Sequence, residues 1–216
     1  MKTAIKICGV TTTETFDSAL KAGATHAGFV FFAKSPRAIA PPDAAAIAAR
    51  STSITAVALT VDASDTELDL ILSQFRPGLL QMHGHETPAR VHEVRQRLAI
   101  PVMKAIAVAG PADLMTARDH ETTADALLFD AAPRDLPGGN GVTFDWSLLA
   151  GTTWRKPWLL SGGLTSENVA DAIYQTRPSG VDVSSGVERT RGVKDNAQVE
   201  AFITSARTAF GAISQV

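Results

Sequence analysis

The stretch KICGVTTTETFDSALKAGATHAGFVF, residues 6–31, holds one full repeat of strand, helix and strand. It opens on a short apolar run that ends at Cys8-Gly9. A longer amphipathic segment follows and stops at Ala22-Gly23, and a second apolar run, AGFVF, closes the stretch. The spacing predicts a helix over 12–22. Thr11 and Glu14 stand three apart, as in a capping box, where hydroxyl and carboxylate satisfy each other's orphan N–H groups. Gly23 suits the left-handed conformation that ends a helix.

Working outward, the same beat recurs along the chain. Strands are predicted at 4–8, 27–31, 56–61, 79–82, 102–106, 126–129, 158–161 and 180–183. Helical segments are predicted near 12–22, 42–49, 65–75, 88–98, 112–120, 146–149, 166–175 and 195–210. The strand starts lie 23, 29, 23, 23, 24, 32 and 22 residues apart. Strands buried on both faces read as continuous apolar runs, and alternation with helices makes the sheet parallel. Eight such units in 216 residues predict an α/β fold, a (β/α)8 TIM barrel, as a single domain over 1–216. A doubly wound open sheet is the runner-up. The two long intervals hold AKSPRAIAPP and DAAPRDLPGGNGVT, extra loop length on the face where barrels carry their sites.

Composition narrows the function classes. Hydrophobic residues make up 45% and charged residues 19% of the chain, with a net charge of −2. No basic track points to nucleic acid. No run approaches the ~18 apolar residues of a membrane span. The N-terminus lacks the apolar core of a signal peptide. The lone cysteine has no intramolecular disulfide partner, which fits a reducing, cytoplasmic setting.

In a barrel, strand ends face the mouth. Those ends carry Cys8, Phe31, Asp62, His83, Asp130, Ser161 and Asp182. Taken singly, each has a bland reading: a free cysteine is most often a small core residue, an aspartate after a strand a turn former. Their convergence on one opening outweighs that. SGGLTSENV (161–169) and VSSGVE (183–188) add glycines after strands 7 and 8, where barrels often bind phosphate on backbone N–H groups. Gly162, Gly163, Ser185 and Gly186 are the expected cradle. A metal site is not expected. His83 and His85 lack His or Asp partners on strands 1 and 2, and His26, His92 and His120 fall away from the mouth.

The motifs KICGVT, GFVFFAKSPRAI, LLQMHGHE, LLFDA, GGNGVTFDW, LSGGLTSENV and VDVSSGVE, in this order, resemble phosphoribosylanthranilate isomerases over essentially the whole chain. Asn140 replaces the family's usual Ser or Thr, and Asp62 stands where many relatives carry Asn. The resemblance implies an Amadori rearrangement of a phosphorylated small molecule in tryptophan biosynthesis, with no external cofactor. It implies Asp130 as general acid, Cys8 as general base and Arg37 as partner of the anthranilate carboxylate. Asp182 and His83 would contact ribose hydroxyls or orient the site. A thiol of pKa about 8.5 is only slightly ionised at pH 7, and a cationic intermediate beside it would favour thiolate. An acid of ordinary pKa about 3.9 needs burial or the substrate's own anions to keep its proton. A metal-dependent pentose-phosphate epimerase and a non-catalytic phosphate-binding barrel are the competing readings. A dual-substrate relative would typically carry Asp at position 8. The expected state is monomer or homodimer.

Alternation along a strand yields one more expectation, independent of the resemblance. Lys6 and Cys8 point to the same face. If Cys8 faces the mouth, Lys6 lies one layer beneath it and needs a buried carboxylate. Asp182 on the adjoining strand 8 is the expected partner, and the amine beside Cys8 would ease formation of the thiolate.

Overall fold

A computed structural model describes residues 3–132 and 145–214. Eight parallel strands close on themselves in sequence order: β1 (Ala4–Cys8), β2 (His26–Val30), β3 (Thr55–Thr60), β4 (Leu79–Met82), β5 (Val102–Val108), β6 (Ala126–Ala131), β7 (Trp158–Leu160) and β8 (Gly180–Val183). Around them run α1 (Thr13–Ala22), α2 (Pro41–Ala48), α3 (Asp65–Gln74), α4 (Pro88–Leu98), α5 (Pro111–His120), α6 (Val169–Thr176) and α7 (Asn196–Ile213). The predicted helix at 146–149 is a single 3-10 turn, Trp146–Leu148. The helix predicted from 166 starts only at Val169, because Asn168 Oδ1 accepts from Thr165 N and holds that stretch as a turn. The GGNG loop with Asn140 lies outside the described residues.

One local expectation is corrected. The cap of α1 is Thr12, whose hydroxyl accepts from Thr15 N at 3.2 Å, and not Thr11. Three consecutive threonines offer the same hydroxyl in three registers, and only Thr12 has the extended backbone next to the first turn. The reciprocal box forms instead on α3, between Ser64 and Glu67. The segment after β8, for which no element was expected, adds one. A small hairpin, β9 (Glu188–Thr190) and β10 (Val193–Lys194), stands there before α7.

Strand parity sorts the core. Ile5, Ile7 and Phe29 point outward into the large cluster shared with the helices. Met103, Ala105, Leu128 and Leu159 pack together with Ala4, Leu79 and Ala126. Those side chains come from opposite sides of the ring, so only the barrel interior lets them meet. Cys8, Val30 and Leu59 form the top layer with Phe32 and Val61. Among the described residues no helix is long and apolar enough to cross a membrane.

Candidate active site

Parity also decides which strand-end groups reach the mouth. A recess of about 450 Å³ is lined by Cys8, Arg37, His83, Asp130, Ser161 and Asp182, with Val30, Leu59 and Val61 as an apolar wall. Phe31 does not belong there. It shares the outward parity of Phe29 and packs on Phe75, ring centroids 5.3 Å apart, while Val30 and Phe32 face in. Asp62 is also off the site. It lies two residues beyond β3 with a left-handed φ of 48°, and its Oδ1 accepts from His85 N at the rim.

A second recess, of about 340 Å³, adjoins the first. It is lined by Gly162, Gly163, Ser185 and Gly186, and shares Asp130, Ser161, Asp182 and Ser184 with its neighbour. Its walls are backbone because nothing larger fits. Gly162 has φ +83°, and a Cβ there would meet Ala131 N at 2.5 Å. A Cβ at Gly186 would collide with the Leu164 carbonyl oxygen, so the loops after β7 and β8 touch directly.

Asp130 hangs near the end of β6, 6% exposed. Its Oδ1 accepts from Ala131 N at 2.9 Å, and its Oδ2 lies 3.3 Å from His83 Nε2. His83 Nδ1 in turn lies 2.7 Å from the Gln81 amide nitrogen.

Beneath Cys8 the expected ion pair is present. Lys6 Nζ donates to Asp182 Oδ1 at 2.8 Å, with the two side chains 0% and 4% exposed. Ser161 Oγ donates to Asp182 Oδ2 at 3.1 Å, so both oxygens of Asp182 are engaged. Burial acts to lower the Lys6 pKa, but Asp182 and Cys8 outweigh it, and the amine stays above its ordinary value. The expected easing of the thiolate is outweighed in the resting site. Burial pushes the Cys8 thiol up, Lys6 and Lys194 pull it back, and the net shift is upward.

Arg37 lies across Gly9, whose own φ of +77° and missing side chain make room for it. Its guanidinium forks onto Glu188, Nε to Oε1 at 2.6 Å and Nη2 to Oε2 at 2.8 Å. Lys194 reaches the same carboxylate at 2.8 Å and donates to Ser184 O. Burial works to raise the Glu188 carboxyl, yet Arg37 and Lys194 together hold it down at about 2. Glu188, Lys194 and Gln81 were not singled out from the sequence. The available signal was weak: Gly192 as the turn of a charged segment, ERTRGVK. Among the described residues no group of three or more His, Cys, Asp or Glu is placed to hold a metal ion.

The chain as a whole is similar to known proteins. Residues 5–205 match the family described as N-(5'phosphoribosyl)anthranilate (PRA) isomerase. The N-(5'-phosphoribosyl)anthranilate isomerase of Parvibaculum lavamentivorans is 48% identical over 215 residues, covering 97% of this chain and all of that protein. The crystal structure of phosphoribosyl anthranilate isomerase from Thermotoga maritima superposes with a TM-score of 0.87 at 34% identity, covering 95% of this chain and 99% of that one. A further crystal structure of a phosphoribosyl anthranilate isomerase, in complex with reduced 1-(o-carboxyphenylamino)-1-deoxyribulose 5-phosphate, superposes at 0.82 with 32% identity. It covers 95% of this chain and 99% of that one.

Proposed function

The chain belongs to the N-(5'phosphoribosyl)anthranilate isomerase family, and from that premise we propose how its residues carry the reaction. It isomerises N-(5'-phosphoribosyl)anthranilate to 1-(2-carboxyphenylamino)-1-deoxyribulose 5-phosphate, a step of tryptophan biosynthesis. Asp130 gives its proton to the furanose ring oxygen. The C1'–O bond breaks, the electron pair leaves with oxygen, and the anilino nitrogen shares the resulting positive charge as an iminium. Cys8 then removes the proton from C2'. Those electrons neutralise the iminium, and the enol relaxes to the 2'-ketone. No electron leaves the substrate, so the reaction is an internal redox exchange without an outside acceptor.

The observation that carries this reading is the sharing of one recess by Cys8, Asp130 and Arg37, beside a glycine-built recess. The substrate has one anion at each end, and this arrangement offers a cation for one and backbone N–H groups for the other. Arg37, held by Glu188 through Nε and Nη2, is the cation that faces the anthranilate carboxylate. Gly162, Gly163, Ser185 and Gly186 take the phosphate. His83 faces Asp130 at 3.3 Å and orients the acid. The resting thiol is protonated because it is buried. The iminium favours the thiolate beside it, and the carboxylate that Asp130 becomes on ring opening takes up the thiol's proton, so that after Cys8 accepts the C2' proton both groups end the cycle as they began. Loss of phosphoribosylanthranilate fluorescence with purified protein tests the whole reading, and absence of turnover would reject it.

A further inference from the structure

Lys6 is fully buried inside the barrel, at a level where other strands supply Met103, Leu128 and Leu159. Replacing a buried ion pair with apolar side chains of similar volume is often neutral or stabilising. Packing therefore does not call for Lys6 and Asp182, and their position one layer below the thiol points to the chemistry above.

Gly28 on β2 shows how closely amine and thiol are set. A Cβ built there would lie 3.1 Å from Lys6 Nζ and 3.2 Å from Cys8 Sγ. Both groups come within contact distance of the same point, which the missing side chain leaves open. The backbone holds this register on both sides: Cys8 pairs with Gly28, and Lys6 pairs with Asp182.

We propose that Lys6 is the positioning cation of the Cys8 thiolate, admitted beside the sulfur by Gly28 and anchored by Asp182. This rests on the reading of Cys8 as the base. The charged groups around the thiol act in opposite directions. Lys6 on β1 and Lys194 on β10 favour the anion, and Asp182 on β8 disfavours it. Arg37 faces the same recess but is closed on Glu188, and His83 and Asp130 face it from the far wall. Asp182 therefore has two effects, fixing the amine in place and opposing the thiolate through its own charge. A purely structural ion pair would show neither sign in the chemistry of the sulfur.

Cys8 is the only thiol in the chain, so alkylation of the resting protein with iodoacetamide reports on it alone. The reading is the pH midpoint of the alkylation rate, which is separate from access, since access sets the plateau at high pH. Lys6→Met should move the midpoint to higher pH and slow alkylation near neutrality roughly tenfold, the effect of about one pKa unit. Asp182→Asn, whose amide oxygen still accepts from the Lys6 amine while the negative charge is gone, should move it the other way. Gly28→Ala keeps both charges but wedges them from the sulfur, and should follow Lys6→Met by a smaller step. Should Lys6→Met not fold with Asp182 left unpaired, Lys6→Met with Asp182→Asn removes both charges, and should alkylate more slowly than Asp182→Asn alone. An unchanged midpoint in the Lys6 variants, or shifts of one sign for Lys6 and Asp182, would overturn the proposal. Turnover by Cys8→Ala is the separate arm. If it persists while the alkylation shifts appear as expected, the base assignment fails and the Lys6–Cys8 coupling stands.

Discussion

The two adjoining recesses are built from different materials. The one that holds Cys8 is made mainly of side chains: a thiol, an imidazole, two carboxylates and a guanidinium on an apolar wall. The one between the loops after β7 and β8 is mostly backbone, kept open by glycines that have no room for a Cβ. A side-chain site is damaged by taking atoms away, and a backbone site by adding them. Asp130, Ser161, Asp182 and Ser184 belong to both, so the two recesses share a wall.

The largest effects are expected where atoms are removed from the first recess. Asp130→Asn has no proton to deliver and Cys8→Ala has no base, and each should lower kcat by roughly 10²–10⁴-fold, the usual worth of a positioned acid or base. Inorganic phosphate should bind both variants as it binds the parent chain. Near-normal turnover in either would assign that role to another group. Loss of phosphate affinity would show that the two recesses are not separable.

Arg37→Ala comes next. A charge-assisted hydrogen bond is worth ~1.5–3 kcal/mol, so ligands bearing the anthranilate carboxylate should bind roughly tenfold to hundredfold more weakly. Simple sugar phosphates should be nearly unaffected. Equal losses for product analogues with and without the carboxylate would place Arg37 in the scaffold with Glu188 and not on the substrate.

Gly162→Ala tests the second recess by addition. The methyl must enter space within 2.5 Å of Ala131 N, at a φ of +83°, and strain of this kind costs ~1–3 kcal/mol. Phosphate affinity should fall about tenfold while kcat at saturation falls less. A fall in kcat as deep as that of Asp130→Asn would erase the distinction, because Gly162 also lies against Asp130, its Cβ position 3.1 Å from Oδ1.

The difference between the recesses also explains what could be read from sequence. All eight strands were legible because each is a short, mostly apolar run, and the closure followed from their spacing. Cys8, His83, Asp130 and Asp182 were legible as polar groups at the ends of such runs. So was Lys6–Asp182, since strand parity and ring closure together leave Lys6 one partner. The same parity, applied one residue out of register, misplaced Phe31 at the mouth. Glu188 and Lys194 were not legible, because the hairpin that carries them has no apolar periodicity. Its strands are three and two residues long, and its contacts are with Arg37, more than a hundred residues away in the chain.

The smallest effect concerns the seam between the recesses, where Glu188 joins Arg37, Lys194 and the Gly192 N–H. Burial alone would raise this carboxyl from its ordinary value of 4.5, but its two cations hold it at about 2. A carboxyl depressed on folding binds its proton more readily in the unfolded chain. Its stabilising contribution is therefore complete above pH about 4.5 and is lost as pH falls from there toward about 2. Neither recess loses a reacting group in Glu188→Gln, so that variant isolates the seam. Urea midpoints measured between pH 5 and 2 should fall less steeply for Glu188→Gln than for the parent chain, even though the variant starts lower at pH 5. Parallel curves would mean that the acid response arises elsewhere, and the Arg37–Glu188–Lys194 seam would then orient Arg37 without contributing to the pH dependence of the fold.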